Sequence, residues 1–228
     1  MEEYAERGFS RRTTKEELEN APPEIVYYLP NHVVIVPNKP VRVVFYTSAR
    51  NKGVCLNDHL YRGIDYLNSL TSVLTSFRRH YYAISMDIEK NVSHGKSERE
   101  SDQSALRYLW KLPKKSEPPK IWQMTVMPFG LVCSPSVCFY LIRRTASDNE
   151  RDFPGLFAII KRAFYADNYL DSFDDYQEAI DRCGQMRAML KRGGFNLSQL
   201  VASDRHILAA FPDQIRSNPY IDLDFDQL

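Results

Sequence analysis

No apolar run in this 228-residue chain approaches the roughly 18–20 residues that a membrane-spanning helix needs. The opening stretch, MEEYAERGFSRRTTKEELEN, is polar and mixed in charge and lacks the apolar core of a secretory leader. Both absences predict an intracellular, cytoplasmic chain with no membrane partner. Cysteine is scarce. Cys55, Cys133, Cys138 and Cys183 form no C-x-x-C pair, and no histidines follow at zinc-ligand spacing. Small buried thiols in a reducing compartment fit this pattern better than a disulfide framework or a zinc site. A large excess of one charge is also missing, since the net charge is only +1, and this excludes a polycation. The imbalance is local. Between Arg107 and Lys120, five bases (Arg107, Lys111, Lys114, Lys115, Lys120) stand against Glu117, whereas Asp222, Asp224 and Asp226 follow Pro219 with no base. A basic strip of this kind suits phosphate contacts, and it equally suits a solvated loop.

What is present is ordinary globular composition, 43% hydrophobic and 26% charged, in a chain long enough for one domain with a lobe or for two small domains. Residues 1–24 read as a polar, poorly ordered lead-in ending in Pro22-Pro23. Two β-rich stretches follow, IVYYLP and NHVVIVPNKPVRVVFY, with Pro37-Asn38-Lys39-Pro40 as the turn. Ile64, Leu67, Leu70, Leu74 and Phe77 recur at helical spacing and predict an amphipathic helix over 62–79. YYAISMDI (81–88) predicts a short strand ending in an acid, IWQMTVM (121–127) another strand, and SVCFYLIRRTA a helix. RAFYA and YLDSF flank Asp167-Asn168 as a β-hairpin, although such a turn more favourably carries Gly second. Tyr176, Ile180, Cys183 and Leu190 mark a helix stopped by Gly193-Gly194, and FNLSQLV is a last strand. The order predicts an α+β chain whose antiparallel sheet is covered by helices on one face.

Asp87 ends an apolar strand, and Asp167 sits at a hairpin tip 80 residues later. If the two strands are neighbours, both carboxylates meet at one edge of a sheet and can hold a pair of Mg²⁺ (or Mn²⁺) ions through hard oxygen ligands. Two such ions roughly 3.5–4 Å apart activate an attacking hydroxyl and stabilise a leaving pyrophosphate. Taken alone, a single acid after a strand is more often a turn former or helix cap. The joint pattern carries the weight, and it also suits an unrelated α+β metal-dependent phosphoryl-transfer enzyme.

Seven segments narrow the choice: YYLPNHVV, VRVVFYTSA with GVCLNDHL, ISMDIEK, ALRYLW, MTVMPFGLVCSP, FYADNYLDS and KRGGFNLSQLVAS. In order and spacing, over about residues 27–212, they resemble the reverse transcriptase of Bel/Pao-type LTR retrotransposons. The resemblance implies a polymerase right-hand fold, with fingers and an antiparallel palm sheet backed by helices. It implies a fingers-like part at 25–80, a palm-like part at 81–212 with a fingers insertion at about 91–120, and an acidic tail at 213–228 that stops short of a thumb. It also implies RNA-directed DNA synthesis on a template-primer with deoxynucleoside triphosphates and two Mg²⁺ or Mn²⁺ ions. Asp87 and Asp167 then correspond to the metal-binding acids, and Arg42, with Lys39 as a second candidate, to the base that contacts the triphosphate. Phe129 and Gly130 correspond to the segment lining the nucleotide and template pocket.

The chain departs from the family at several of these positions. Asn168 stands where the box carries its second acid, and Val92 stands where an aromatic gate screens out ribonucleotides. Tyr46 replaces an Asp, Gln199-Leu200 replaces Lys-Trp, and the interval from Asp87 to Ala105 is one residue longer than the family's. Codons for Asn91-Val92-Ser93, read one nucleotide later, can encode Met-Phe-His, which points to a local frameshift. These departures predict impaired or lost catalysis, with a non-catalytic remnant that binds nucleic acid or a protein partner as the alternative.

Overall fold

A computed structural model describes residues 2–35, 42–89, 100–111 and 118–217. Lys39, Val92 and the 91–97 anomaly lie outside the described residues. Two compact units divide the chain, Met1–Ile64 with Val92–Cys138, and Asp65–Asn91 with Phe139–Leu228.

The first unit contains α1 (Glu2–Glu6), β1 (Ser10–Arg12), α2 (Lys15–Asn20), β2 (Asn31–Val34) and β3 (Arg42–Phe45). The second opens with α3 (Leu70–Phe77) and β4 (Tyr82–Ile88), and the first resumes with β5 (Arg107–Trp110) and β6 (Lys120–Met124). The boundary between units falls within α4 (Ser134–Asp148). The second unit then runs through α5 (Leu156–Ala163), β7 (Phe164–Tyr165), β8 (Asn168–Phe173), α6 (Tyr176–Arg192), β9 (Leu197–Ala202) and α7 (Arg205–Ala209).

In the first unit β2 and β3 form an antiparallel pair, and β1, β6 and β5 form a three-stranded sheet. Their core gathers Leu29, Phe45, Leu56, Leu106, Tyr108, Met124, Val126 and Leu131. The lead-in expected to be poorly ordered over 1–24 is ordered in its described part, residues 2–24. Its β1 pairs with β6, and Ser10 hydrogen-bonds the buried Tyr108 hydroxyl. Thr14 and Glu17 close a capping box on α2, which satisfies backbone donors that a helix start leaves open. The Arg11 guanidinium holds the Glu17 carboxyl well below its usual range, at about 2. Arg107, the first member of the basic strip, is neither a phosphate contact nor part of a solvated loop. It is 1% exposed and donates to the Glu17 carbonyl at 2.6 Å, so it is part of the core and cannot reach a phosphate.

The second unit is built on a four-stranded sheet in the order β7-β8-β4-β9, antiparallel throughout. β4 alternates between a buried row, Ile84, Met86 and Ile88, and a half-buried row ending in Asp87. Tyr169 and Phe173 lie on the buried face of β8, and Cys183 of α6 packs near Tyr169 and Asp171. α6 ends in a Schellman motif: Phe195 N–H donates to the Leu190 carbonyl and Gly194 N–H to the Lys191 carbonyl, both at 3.0 Å. Gly194 supplies the positive φ of +81° that this ending requires. β9 is flanked by a parallel bridge from Leu200 to Arg216, reinforced by Ser217 N–H on the Leu200 carbonyl at 3.0 Å.

The helix predicted over 62–79 is shorter. Asp65 accepts the Leu67 N–H at 3.0 Å, and Asn68 donates to the carbonyls of Ile160 and Phe164 at 3.0 and 2.7 Å. The Asp65 bond competes locally with helix formation, the Asn68 side chain is taken by the end of α5 and by β7, and Ser69 then caps α3. The apolar repeat faces outward, since Leu67, Leu70 and Leu74 are about 40% exposed and Val73 is the buried residue.

Candidate active site

The site is assembled by strand register. Asp87 on β4 lies directly opposite Asn168 on β8, so the hairpin residue Asp167 stands beside it. Directly opposed residues in an antiparallel pair have Cα atoms about 4.5–5.5 Å apart. The Ile88 N–H donates to the Asp167 carbonyl at 2.8 Å, and the Glu89 N–H to the Asn196 carbonyl at 2.8 Å. Three segments, the end of β4, the hairpin tip and the start of β9, are thereby tied together at one end of the sheet.

The hairpin differs from the expectation by one residue. Its turn is Ala166-Asp167, and Asn168 is the first residue of β8, paired with Tyr165. Ala166 takes a positive φ of 51°, the conformation for which a two-residue hairpin normally uses glycine. Below the tip, Phe164 and Tyr169 stack at 5.1 Å with their rings 21° apart, both fully buried. Burial pushes the Tyr169 hydroxyl well above its usual range and the Cys183 thiol up to about 12. Cys183 serves packing, while the Tyr169 hydroxyl stays protonated to donate within the core.

Asp171 is a different matter, and sequence reading did not single it out. It is completely buried on β8 and forms a two-pronged pair with Arg162 of α5 at 2.7 and 3.0 Å. It also accepts from the Tyr169 hydroxyl at 3.2 Å and from the Ser172 N–H at 3.0 Å. Its place two residues after the inward Tyr169 made it an inward-facing acid, which a sequence can show. Its partner on α5 could not be read in the same way.

At the exposed end the donor set is Asp87, Asp167 and Asn168. Asn168 donates its amide N–H to Asp167 Oδ1 at 3.1 Å, which leaves its own Oδ1 as a third oxygen. Gln199 of β9 donates to Asp87 Oδ2 at 3.4 Å. Hard oxygen donors suit Mg²⁺ or Mn²⁺, so the chemistry of the set fits such an ion. The number of acids is low, and among the described residues no group of three or more His, Cys, Asp or Glu could hold a metal ion.

The other candidates belong to the first unit. Arg42 begins β3, opposite Val34. Phe129 is 54% exposed. Gly130 has a φ of +101°, and its carbonyl accepts from Thr47 and from Asn57 at 3.1 Å. A Cβ at Gly130 would sit 3.0 Å from Thr47 Oγ1 and 3.4 Å from the Phe45 carbonyl. Gly130→Ala is therefore expected to destabilise the fold by about 1–3 kcal/mol in thermal or denaturant unfolding. An unchanged midpoint would show that the turn relaxes without strain. Tyr46 stacks on His32 at 4.8 Å and 16°, and so has a packing role of its own.

No protein-family model matches the chain, and no curated protein matches it in sequence. Solved structures do match. The native protease-reverse transcriptase of Prototype Foamy Virus is similar with a TM-score of 0.58 and 16% identity, over 86% of this chain and 22% of that one. A foamy viral protease-reverse transcriptase in complex with double-stranded DNA is similar with a TM-score of 0.57 and 19% identity, over 86% of this chain and 28% of that one. The chain thus spans about a quarter of the length of these proteins, and its fold is similar to that part of a protease-reverse transcriptase. Among the described residues, no helix is long and apolar enough to cross a membrane.

Proposed function

We propose that the chain is the fingers-and-palm portion of a Bel/Pao-type reverse transcriptase, with a weakened centre for template-directed nucleotidyl transfer. One observation carries this reading. Asp87 is in register with the Asp167-Asn168 hairpin, at the end of an antiparallel sheet in a reverse-transcriptase-like fold. Mg²⁺ or Mn²⁺, held by Asp87 and Asp167 with the Asn168 amide oxygen beside them, would supply charge neutralisation for the attacking and leaving oxygens. The chain's own contribution is positional. The stacked Phe164 and Tyr169 and the backbone bond from Ile88 hold the hairpin tip against the end of β4, beside Asp87. Asn168 contributes an oxygen without a charge, which reduces the electrostatic pull of the site. By resemblance, Arg42, Lys39, Phe129, Gly130 and Val92 would meet the incoming nucleotide and the template. One of the similar proteins is solved with double-stranded DNA, which supports a nucleic-acid partner for this chain.

A specific observation favours the second reading, a non-catalytic remnant that binds nucleic acid or a protein partner. The Asn168 amide N–H occupies Asp167 Oδ1 at 3.1 Å, on one of the two acids of the proposed metal site. Primer extension with purified protein in Mg²⁺ or Mn²⁺ separates the two. The first reading expects slow, metal-dependent extension that vanishes in Asp87→Ala. Salt-sensitive nucleic-acid binding with no extension in either metal would favour the remnant.

A further inference from the structure

β9 does not run straight past the candidate metal site. Ile84 and Ser85 of β4 pair with Ala202 and Val201, whereas Asp87 and Ile88 pair with Ser198 and Leu197. One extra residue is thus inserted into β9, and Gln199 and Leu200 together face Met86. This is a β-bulge, and its first residue, Gln199, has a positive φ of 54°. Glycine commonly fills that position, because a side chain there is strained. Leu200 returns to the buried face at 1% exposure, while Gln199 stays exposed and its Nε2 reaches Asp87 Oδ2 at 3.4 Å.

We infer that Gln199 is a positioning residue for Asp87, and that the bulge serves to aim its amide at that carboxylate. The inference rests on the reading of Asp87 as a metal ligand. A bulge beside a functional site re-aims a side chain, and strained backbone persists where the surroundings over-determine it. Here a strained non-glycine residue, a register shift and a hydrogen bond to the candidate ligand coincide at one position. A bulge needed only for packing would be better served by glycine, which adopts this φ without strain. The neutral amide leaves the charge of Asp87 intact. It would hold the carboxylate in one orientation for a divalent cation. Outer hydrogen-bond partners of metal ligands typically account for about 10–100-fold in metal affinity.

Gln199→Gly separates positioning from structure, because glycine accepts a φ of 54° and the amide is lost. Mn²⁺ titration followed by electron paramagnetic resonance is expected to show roughly tenfold weaker binding in Gln199→Gly. Thermal unfolding without metal is expected to show an unchanged or higher midpoint in the same variant. Gln199→Asn tolerates the same backbone but is one methylene shorter, and is expected to lose affinity similarly. Unchanged Mn²⁺ affinity in Gln199→Gly would overturn the inference while leaving Asp87 as a ligand. If the unsubstituted protein shows no Mn²⁺ binding that Asp87→Asn abolishes, the metal-site reading falls and takes this one with it.

Discussion

Arg162→Met is expected to destabilise the second unit by about 3 kcal/mol, the lower end of the range for breaking a buried ion pair. Asp171 has no exposed surface, and its charge is balanced by a two-pronged guanidinium contact. Methionine keeps most of the packing length but leaves the carboxylate among Tyr169, Cys183 and the sheet core without a counter-charge. The bonds from the Tyr169 hydroxyl and the Ser172 N–H remain, and Arg162 is itself 47% exposed, so water can partly replace it. Those two facts place the cost at the lower end. Chemical denaturation of the single variant, of Asp171→Asn and of the double variant forms a cycle. The double variant should be more stable than Arg162→Met alone, because removing the charge also removes the need for its partner. Additive losses would mean that Arg162 acts through packing.

Asn168→Asp should act in opposite directions with and without metal. In the metal-free protein it replaces an amide that donates to Asp167 with a second carboxylate, so an attractive contact becomes repulsive. Like charges on directly neighbouring sheet positions cost about 0.2–1 kcal/mol, and the unfolding midpoint should fall accordingly. With Mn²⁺ or Mg²⁺ the added charge is neutralised, and a ligand that binds only the folded state restores stability by mass action. Activity should rise by about 10²–10³-fold, the usual effect of one preorganised electrostatic group. Primer extension and melting curves with and without metal would read both effects. A variant that melts lower in every condition and extends no faster would show that Asn168 is not the limiting loss.

The parts of this fold that were legible in sequence have strict local patterns. YYAISMDI alternates with period two, and its acid falls at the predicted end of β4. The glycine pair after Leu190 marked the end of α6, where Gly194 provides the left-handed residue of the cap. The helix α5 is hard to see in the sequence although Leu156, Ile159, Ile160 and Ala163 are buried at helical spacing. It is only eight residues long, and its last turn was absorbed into the hairpin strand RAFYA. α3 starts later than its pattern for the opposite reason. A regular apolar repeat was present, but the Asp65 side chain binds the Leu67 N–H and delays the helix start. Thr14 and Glu17 had the spacing of a capping box, a signal that the lead-in was structured. At the candidate site the two acids were legible because each ends a strand-like run. The Arg162 pairing was not, because it depends on the short helix α5 that brings Arg162 back over β8. Nor was the bulge at Gln199, because it depends on pairing with β4, a segment distant in sequence.

The same bulge bears on how the sheet ends. β9 and β7 are its two outer strands. β7 has only two residues, and β9 is interrupted at Gln199 and bridged at Leu200 by Arg216. A long, flat outer strand is a template for adding another chain and growing an aggregate. Neither border of this sheet offers such a run among the described residues. The local distortion that directs an amide toward Asp87 therefore also denies an incoming strand a continuous ladder.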